Sequence, residues 1–433
     1  MPTTRRELLQ RFAFGAAAGA VHVGFSPTAW AQPDDAALLE RVRADLSRHA
    51  SFGDKFSGSP GDLATASWIA DRLRTSGYRV EQPTFDAPFF VKRTTRLTVG
   101  ATTVDVMAQA PVVPTGPRGV SAPLTLVDGA VGDVRDRIAV IVLPSGRHAA
   151  LFADRGIGQT VMNAAKAGAR ALVIVTTGPT GEAIALNSPE TPFVSIPAAV
   201  LAPKRAEPIV AAARSGATAT LVLDGDATHR PSPNVIGTLR RGERWIAIST
   251  PRSGWFGCVG ERGTGTAVFL ELADWAVRRF PTHSIFLMNT GGHEYFFAGS
   301  HRALTQAPPP ASTVVWTHVG ATLAARDARD ENGREVMLDT ADPGRSLMAT
   351  DTARAAAAQA FAGLSGLANP TPVRAEAGEL SAFTDKGYTT AFAVIGVHRW
   401  FHTSQDTLER VDARLVVPVL QAHQRAMEIL ARV

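Results

Sequence analysis

Five residues with acid–base or ligating side chains recur beside short apolar runs, and they carry the chemistry this sequence can do. His293 and Glu294 lie in Gly291-Gly292-His293-Glu294-Tyr295, just after the run Ser284 to Met288. His318 follows Val314-Val315-Trp316-Thr317, Glu261 opens Glu261-Arg262-Gly263-Thr264-Gly265, and His402 opens His402-Thr403-Ser404-Gln405-Asp406-Thr407. Thr250-Pro251-Arg252 ends another run, Trp245 to Ser249. Carboxylates and imidazoles are donors for a divalent cation such as zinc. An imidazole with an ordinary pKa near 6.5 is also a sensible base at neutral pH. An arginine such as Arg252 can bind a substrate carboxylate bidentately or neutralise neighbouring acids. A lone histidine is usually structural, but three histidines with two glutamates at predicted strand ends exceed that expectation.

The elements that must position these residues alternate between strand and helix. Helical apolar spacing runs over 36–48 and 62–76, with Asp62 as the expected N-cap of the second helix after the turn Phe56-Ser57-Gly58-Ser59-Pro60-Gly61. Asn234-Val235-Ile236-Gly237, Trp245 to Ser249, Ser284 to Met288, Val314 to His318 and Thr389 to Ile395 read as strands. Thr264 to Arg279 and Ala413 to Val433 read as helices. This alternation predicts an α/β fold, a mainly parallel mixed sheet covered by helices on both faces. In such sheets the site lies at the carboxyl ends of the strands, where the five residues and Arg252 fall.

Between about 100 and 230 the pattern changes to short β-rich runs with one helix, Gly158 to Ala167, and then Pro192-Phe193-Val194-Ser195-Ile196-Pro197. This order resembles a protease-associated domain, which implies an inserted lid or access module without catalytic residues of its own. The expected organisation is a leader over 1–31, a first part of the main domain over 32–99, the insertion over 100–230 and the rest of the main domain over 231–433. The leader reading rests on Thr4-Arg5-Arg6-Glu7-Leu8-Leu9, an apolar Ala/Gly-rich stretch and Ala29-Trp30-Ala31. It predicts twin-arginine export to the periplasm or outside the cell, with no membrane anchor after cleavage.

Composition narrows the function classes. The formal charge of +5 is carried almost wholly by arginine, with lysine at only Lys55, Lys92, Lys166, Lys204 and Lys386. The basic residues are scattered, so nucleic acid is not an expected partner. Cys258 is the single cysteine, which excludes an intramolecular disulfide. A buried apolar role suits it better than a thiol nucleophile. No Gly-x-Ser-x-Gly elbow occurs, which sets a serine hydrolase aside.

With Ser57-Gly58-Ser59-Pro60-Gly61, Asn234-Val235-Ile236, Gly378-Glu379-Leu380-Ser381-Ala382-Phe383 and the His402-Thr403-x-x-Asp406-Thr407 ending, the chain resembles the zinc aminopeptidase family. That family also contains glutamate carboxypeptidase II, glutaminyl cyclases and the transferrin receptor. The resemblance implies two metals about a bridging carboxylate, which falls on Glu261. One metal's other ligands fall on Glu294 and His402. The second metal's histidine falls on Thr250, the aspartate orienting it on Arg252 and its acid on His318, while the general base falls on His293. Half of the metal site is thus kept and half altered.

Three readings follow. In the first, Glu261, Glu294 and His402 hold one zinc, His293 is the base and His318 assists, and an exported hydrolase cleaves a peptide or small amide bond. Arg252 and Trp400 are then the expected substrate contacts. In the second, the chain is a metal-free pseudopeptidase acting as a binding or scaffold protein, with Arg252 neutralising Glu261 and Glu294. In the third, His293, His318 and Arg252 form a remade acid–base cleft for another reaction.

Overall fold

The computed structural model describes residues 33–128, 131–150, 155–374 and 378–432. The expected leader over 1–31 lies outside them. No helix among the described residues is long and apolar enough to cross a membrane.

The site rests on an eight-stranded mixed sheet. Its order is Arg79–Glu81, Val235–Leu239, Ser284–Thr290, Trp245–Pro251, Thr313–Val319, Ala391–Gly396, Arg345–Ala349 and Thr371–Pro372. The four central strands, Ser284–Thr290, Trp245–Pro251, Thr313–Val319 and Ala391–Gly396, run parallel. Val235–Leu239 and Arg345–Ala349 flank them antiparallel. The parallel strands Trp245–Pro251 and Ser284–Thr290 are buried throughout, as expected where both faces are covered. On one face the helices Pro60–Thr75, Thr264–Arg279, Asp351–Ala360 and Ala413–Ala431 join the largest apolar core. Each fully buried Leu, Ile or Phe there contributes about 1.5–3 kcal/mol. Trp316, Phe286, Leu380 and Phe383 fill the other face.

Local signals explain the elements nearest the site. Helix Pro60–Thr75 has Pro at N1 and is capped by the Ser59 side chain, which accepts from the Asp62 N–H. Asp62 is therefore not the N-cap; its carboxylate accepts instead from the Gly58 N–H at 2.9 Å. Helix Thr264–Arg279 has the predicted bounds and follows a tight turn of π-helical geometry, Val259–Gly263.

A second eight-stranded sheet runs from Thr84 to Pro233, built on two paired 16-residue strands, Thr84–Val99 and Thr218–Pro233. Parallel strands Val120–Val127, Ile138–Val142, Ala171–Val175 and Ala198–Leu201 continue it. The helix expected there spans Arg155–Lys166. This sheet has cores of its own around Val140 and Ile174.

Candidate active site

The parallel strands end on one side of the sheet, and the candidate residues follow those ends. Glu261, Glu294, His318 and His402 are each no more than 1% exposed. His293, with 13% side-chain exposure, keeps some contact with solvent.

Glu261 is set by its turn. The carboxylate of Asp406 accepts the N–H groups of Gly260 (2.6 Å) and Glu261 (3.0 Å), anchoring the turn before the long helix. A Cβ on Gly260 would meet Asp406 Oδ1 at 2.7 Å, so the approach needs glycine. His398 Nε2 lies 3.3 Å from Asp406 Oδ2 on its other side. Glu261 Oε1 then faces His402 Nε2 at 3.3 Å and Arg262 Nη2 at 2.6 Å, all three side chains being buried. Neither Glu261 oxygen has a hydrogen bond of good geometry. Burial pushes this carboxyl up, but Arg262 and His402 outweigh it and hold it below the usual carboxylate range.

His402 has a fixed ring orientation. Its Nδ1 lies 2.8 Å from the Ala185 carbonyl, so that nitrogen carries a hydrogen and Nε2 is turned toward Glu261. The Ala185 N–H donates in return to the His402 carbonyl at 2.9 Å. His402 holds a left-handed φ of 57°, a costly conformation for a residue other than glycine.

Glu294 accepts from the Ser57 N–H and the Ser253 hydroxyl, both at 2.6 Å. Burial raises its pKa against those two hydrogen bonds. Its carbonyl accepts from the Ser188 N–H at 3.0 Å. The Trp255 indole N–H also donates to Asn187 Oδ1 at 2.8 Å. The segment containing Ala185, Asn187 and Ser188, within the second sheet's region, thus lies directly over the centre.

His293 Nδ1 lies 3.1 Å from Glu379 Oε1. Burial, then Arg262, His318 and His402, hold His293 well below its ordinary pKa, so the imidazole is neutral. Burial raises Glu379 to about 7, opposed by Arg262 and a hydrogen bond from Thr290. Phe296 and Phe297, just beyond, both take left-handed φ values (47° and 64°), and the Phe297 ring packs 4.8 Å from His293.

Other expected residues sit elsewhere. Arg252 is fully buried; Nε pairs with Asp62 at 2.7 Å, Nη1 with Asn289 at 2.7 Å, and Nη2 with the Pro233 carbonyl. All three nitrogens are engaged away from Glu261 and Glu294, so its expected roles as substrate contact and as neutraliser of those acids are both corrected. Trp400 has no exposed surface, and its N–H donates to Glu335 at 3.0 Å. It belongs to packing under Arg410 rather than to a substrate wall. His318 points Nδ1 to Ser249 Oγ at 2.9 Å, and burial lowers its pKa to about 3. The Thr250 hydroxyl donates to the Val319 carbonyl at 2.6 Å. Cys258 is buried and burial raises its thiol pKa, which removes it as a nucleophile.

Sequence reasoning gave no role to Arg262 or Glu379 and set Ser253 aside with the serine hydrolase reading. The first two stood in Glu261-Arg262-Gly263 and Gly378-Glu379-Leu380. A charged residue flanking a strand-end acid is the signal that could have flagged Arg262.

Residues 259–426 match Peptidase family M28. A 148-residue stretch is 31% identical to the probable lipoprotein aminopeptidase LpqL of Mycobacterium tuberculosis, covering 32% of this chain and 28% of that protein. The fold is similar to a zinc aminopeptidase from Bacillus subtilis, with TM-score 0.69 and 16% identity over 90% of this chain and 95% of that one. It is equally similar to a Peptidase M28 precursor from Shewanella amazonensis, with TM-score 0.69 and 17% identity over 92% and 95%. An aminopeptidase from an Aneurinibacillus species gives TM-score 0.65 and 20% identity over 90% and 93%. The fold is therefore aminopeptidase-like, and the segment 259–426 within it is what matches the M28 family model.

Proposed function

We propose that the chain is a hydrolase of a peptide or small amide bond, exported to the periplasm or beyond, with a single zinc. The observation that carries this is the pairing of Glu261 with His402. Both carboxylate oxygens of Glu261 are buried without a hydrogen bond of good geometry, and Nε2 of His402 is turned toward Oε1 at 3.3 Å, beside the Arg262 guanidinium. That is about the separation of two ligands on one tetrahedral zinc with bonds near 2 Å. Glu294 is the third donor by type, and Ser57 and Ser253 are the outer partners that a ligating carboxylate needs. Among the described residues no three such side chains are close enough to hold a metal, so Glu294 would have to shift for the set to close.

Zinc held by Glu261, Glu294 and His402 would polarise the scissile carbonyl and acidify a water. The chain's own residues do the rest. His293 Nε2, the ring nitrogen not held by Glu379, takes the proton of the attacking water and returns it to the leaving amine. Glu379 orients that ring through Nδ1, and Thr290 holds Glu379. The Ala185 carbonyl fixes the orientation of the His402 ring.

The Glu379–His293 pair also gives the reaction a pH dependence. Below about 7 the protonated Glu379 donates to Nδ1, which places the ring hydrogen on Nε2 and disables the base. Above it, the carboxylate accepts from Nδ1–H and Nε2 is free to take a proton. The rate should therefore rise with pH through about 7. Glu379→Gln keeps an acceptor without that titration, so its kcat/KM profile should flatten there; an unchanged profile would assign the step to another group.

The decisive test is zinc content and turnover of aminoacyl anilides by protein purified without chelator. About one zinc per chain, reduced by His402→Ala or Glu294→Ala, with turnover lost to a chelator and restored by zinc, is the expected result. A metal-free binding protein is the second reading, favoured by the Arg262–Glu261 ion pair, and it predicts neither zinc nor turnover.

A further inference from the structure

We infer that a cavity beside Tyr295 is an anchor site for one large apolar side chain of a bound peptide, aromatic by preference and a few residues away from the scissile bond. The inference rests on the peptide hydrolase reading, and its test separates the two. Phe89, Phe90, Pro111, Val112, Pro192 and Tyr295 are walls of the cavity, whose volume is about 220 Å³. Sites for a whole drug-sized molecule run to about 300–1,000 Å³, so this one has the size of a single side chain. Native interiors leave few voids larger than a water, and an apolar recess that the chain itself does not fill suits a guest of the same character. The three aromatic rings favour an aromatic guest through edge-to-face or offset contacts. Glu190 also lines the cavity but is turned to Arg302 at 2.9 Å, and His229 is exposed, so an ionic side chain finds no buried partner there.

The walls share their framework with Glu294. Tyr295 is the next residue, and its hydroxyl donates to the Pro88 carbonyl at 2.9 Å. The Phe89 ring packs 5.4 Å from that of Phe56, and the N–H of the following Ser57 donates to the Glu294 carboxylate at 2.6 Å. Ser188 donates its N–H to the Glu294 carbonyl at 3.0 Å and its hydroxyl to the carbonyl of Ala110, the residue before Pro111, at 2.7 Å. The same segment runs on to Glu190 and Pro192 in the cavity wall. Walls and the groups that touch Glu294 are thus chain neighbours or in direct contact. An extended peptide covers about 3.3 Å per residue, so one whose scissile bond lies at His293 and Glu294 reaches the cavity in a few residues.

Calorimetric titration of the full chain carrying His293→Ala, which keeps the peptide uncut, tests this. The probes are alanine–glycine hexapeptides with one phenylalanine moved position by position. Phenylalanine at one position should tighten binding about 10–100-fold over alanine there, with a more negative heat-capacity change, as burial of one such side chain requires. Thr228 and Ala227 are exposed wall residues, so Thr228→Trp and Ala227→Trp fill the cavity without entering the core, and both should remove that preference.

Equal binding at every position overturns the inference, and so does a preference that survives in both filled variants. N-acetylphenylalaninamide binding as tightly as the best peptide also overturns it, because the cavity is then a site for a free small molecule. A wild type that turns over no aminoacyl anilide, with the positional preference intact, sinks the hydrolase reading and leaves the peptide site standing. Thermal melting reads the folding of each variant. If the tryptophan variants do not fold, Thr228→Phe is measured in their place, and the positional series decides independently.

Discussion

Replacing His293 by alanine is expected to lower kcat on an aminoacyl anilide by about 10²–10⁴-fold, the usual contribution of a positioned general base. KM and zinc content should stay close to wild type. The direction follows from what the side chain does and does not do. It makes one hydrogen bond, to Glu379, and one ring contact, to Phe297, and it keeps a partly exposed face. Its loss therefore removes little packing, and the fold should survive. The imidazole is neutral, because burial and three neighbouring basic groups disfavour its charged form. A neutral imidazole with one nitrogen held by a carboxylate is ready to accept a proton on the other. Steady-state kinetics beside elemental analysis checks the assignment. A variant that keeps its rate would remove His293 as the base, and one that loses its zinc would make it a ligand instead.

The sheet was legible because its signals are periodic and local. Buried parallel strands read as continuous apolar runs, and the helix Thr264–Arg279 was legible from its apolar spacing, although Thr264 to Ala273 are all buried. Elements without that contrast escaped. The hairpin Arg326–Glu331 and Arg334–Ala341 is polar and largely exposed, although its Asn332-Gly333 turn, with φ of 52° and 77°, is a recognisable signal. The strand Arg345–Ala349 and the helix Asp351–Ala360 sit in an alanine-rich stretch whose apolar face is formed mostly by small side chains.

The site was legible in residue type but not in pairing. Strand ends locate Glu261, Glu294, His293 and His402, since the fold class dictates where those ends gather. Which arginine faces which carboxylate is a matter of side-chain direction within tight turns, and neighbouring positions diverge. Arg252 turns back beneath the sheet toward Asp62, while Arg262, ten positions on, meets Glu261. The contribution of Ala185 was invisible for a different reason. It acts through its backbone carbonyl, from a segment 217 residues away in sequence, and no side chain announces it.

Arg252→Ala should cost about 3–5 kcal/mol of stability, the range for breaking a buried ion pair by removing one partner. Both Arg252 and Asp62 have no exposed side-chain surface, so neither charge can be rescued by water. The deletion also strands Asn289 Oδ1 and the Pro233 carbonyl, which accept from the same guanidinium. Asp62→Ala should cost a similar amount, because its carboxylate also receives the Gly58 N–H and the Ser232 hydroxyl. The double variant should cost clearly less than the sum of the two, since each single change already breaks the shared pair. Those side contacts keep it from being neutral. Urea unfolding of the four proteins measures the cycle, and strict additivity would show that the pair has no coupling. The consequence reaches the site through the turn that Asp62 holds. Ser57 lies in that turn; its N–H holds Glu294 and its hydroxyl accepts from the Gly292 N–H at 2.7 Å. Loosening Asp62 should therefore let Glu294 wander, so that turnover in Arg252→Ala falls even at temperatures where the protein remains folded.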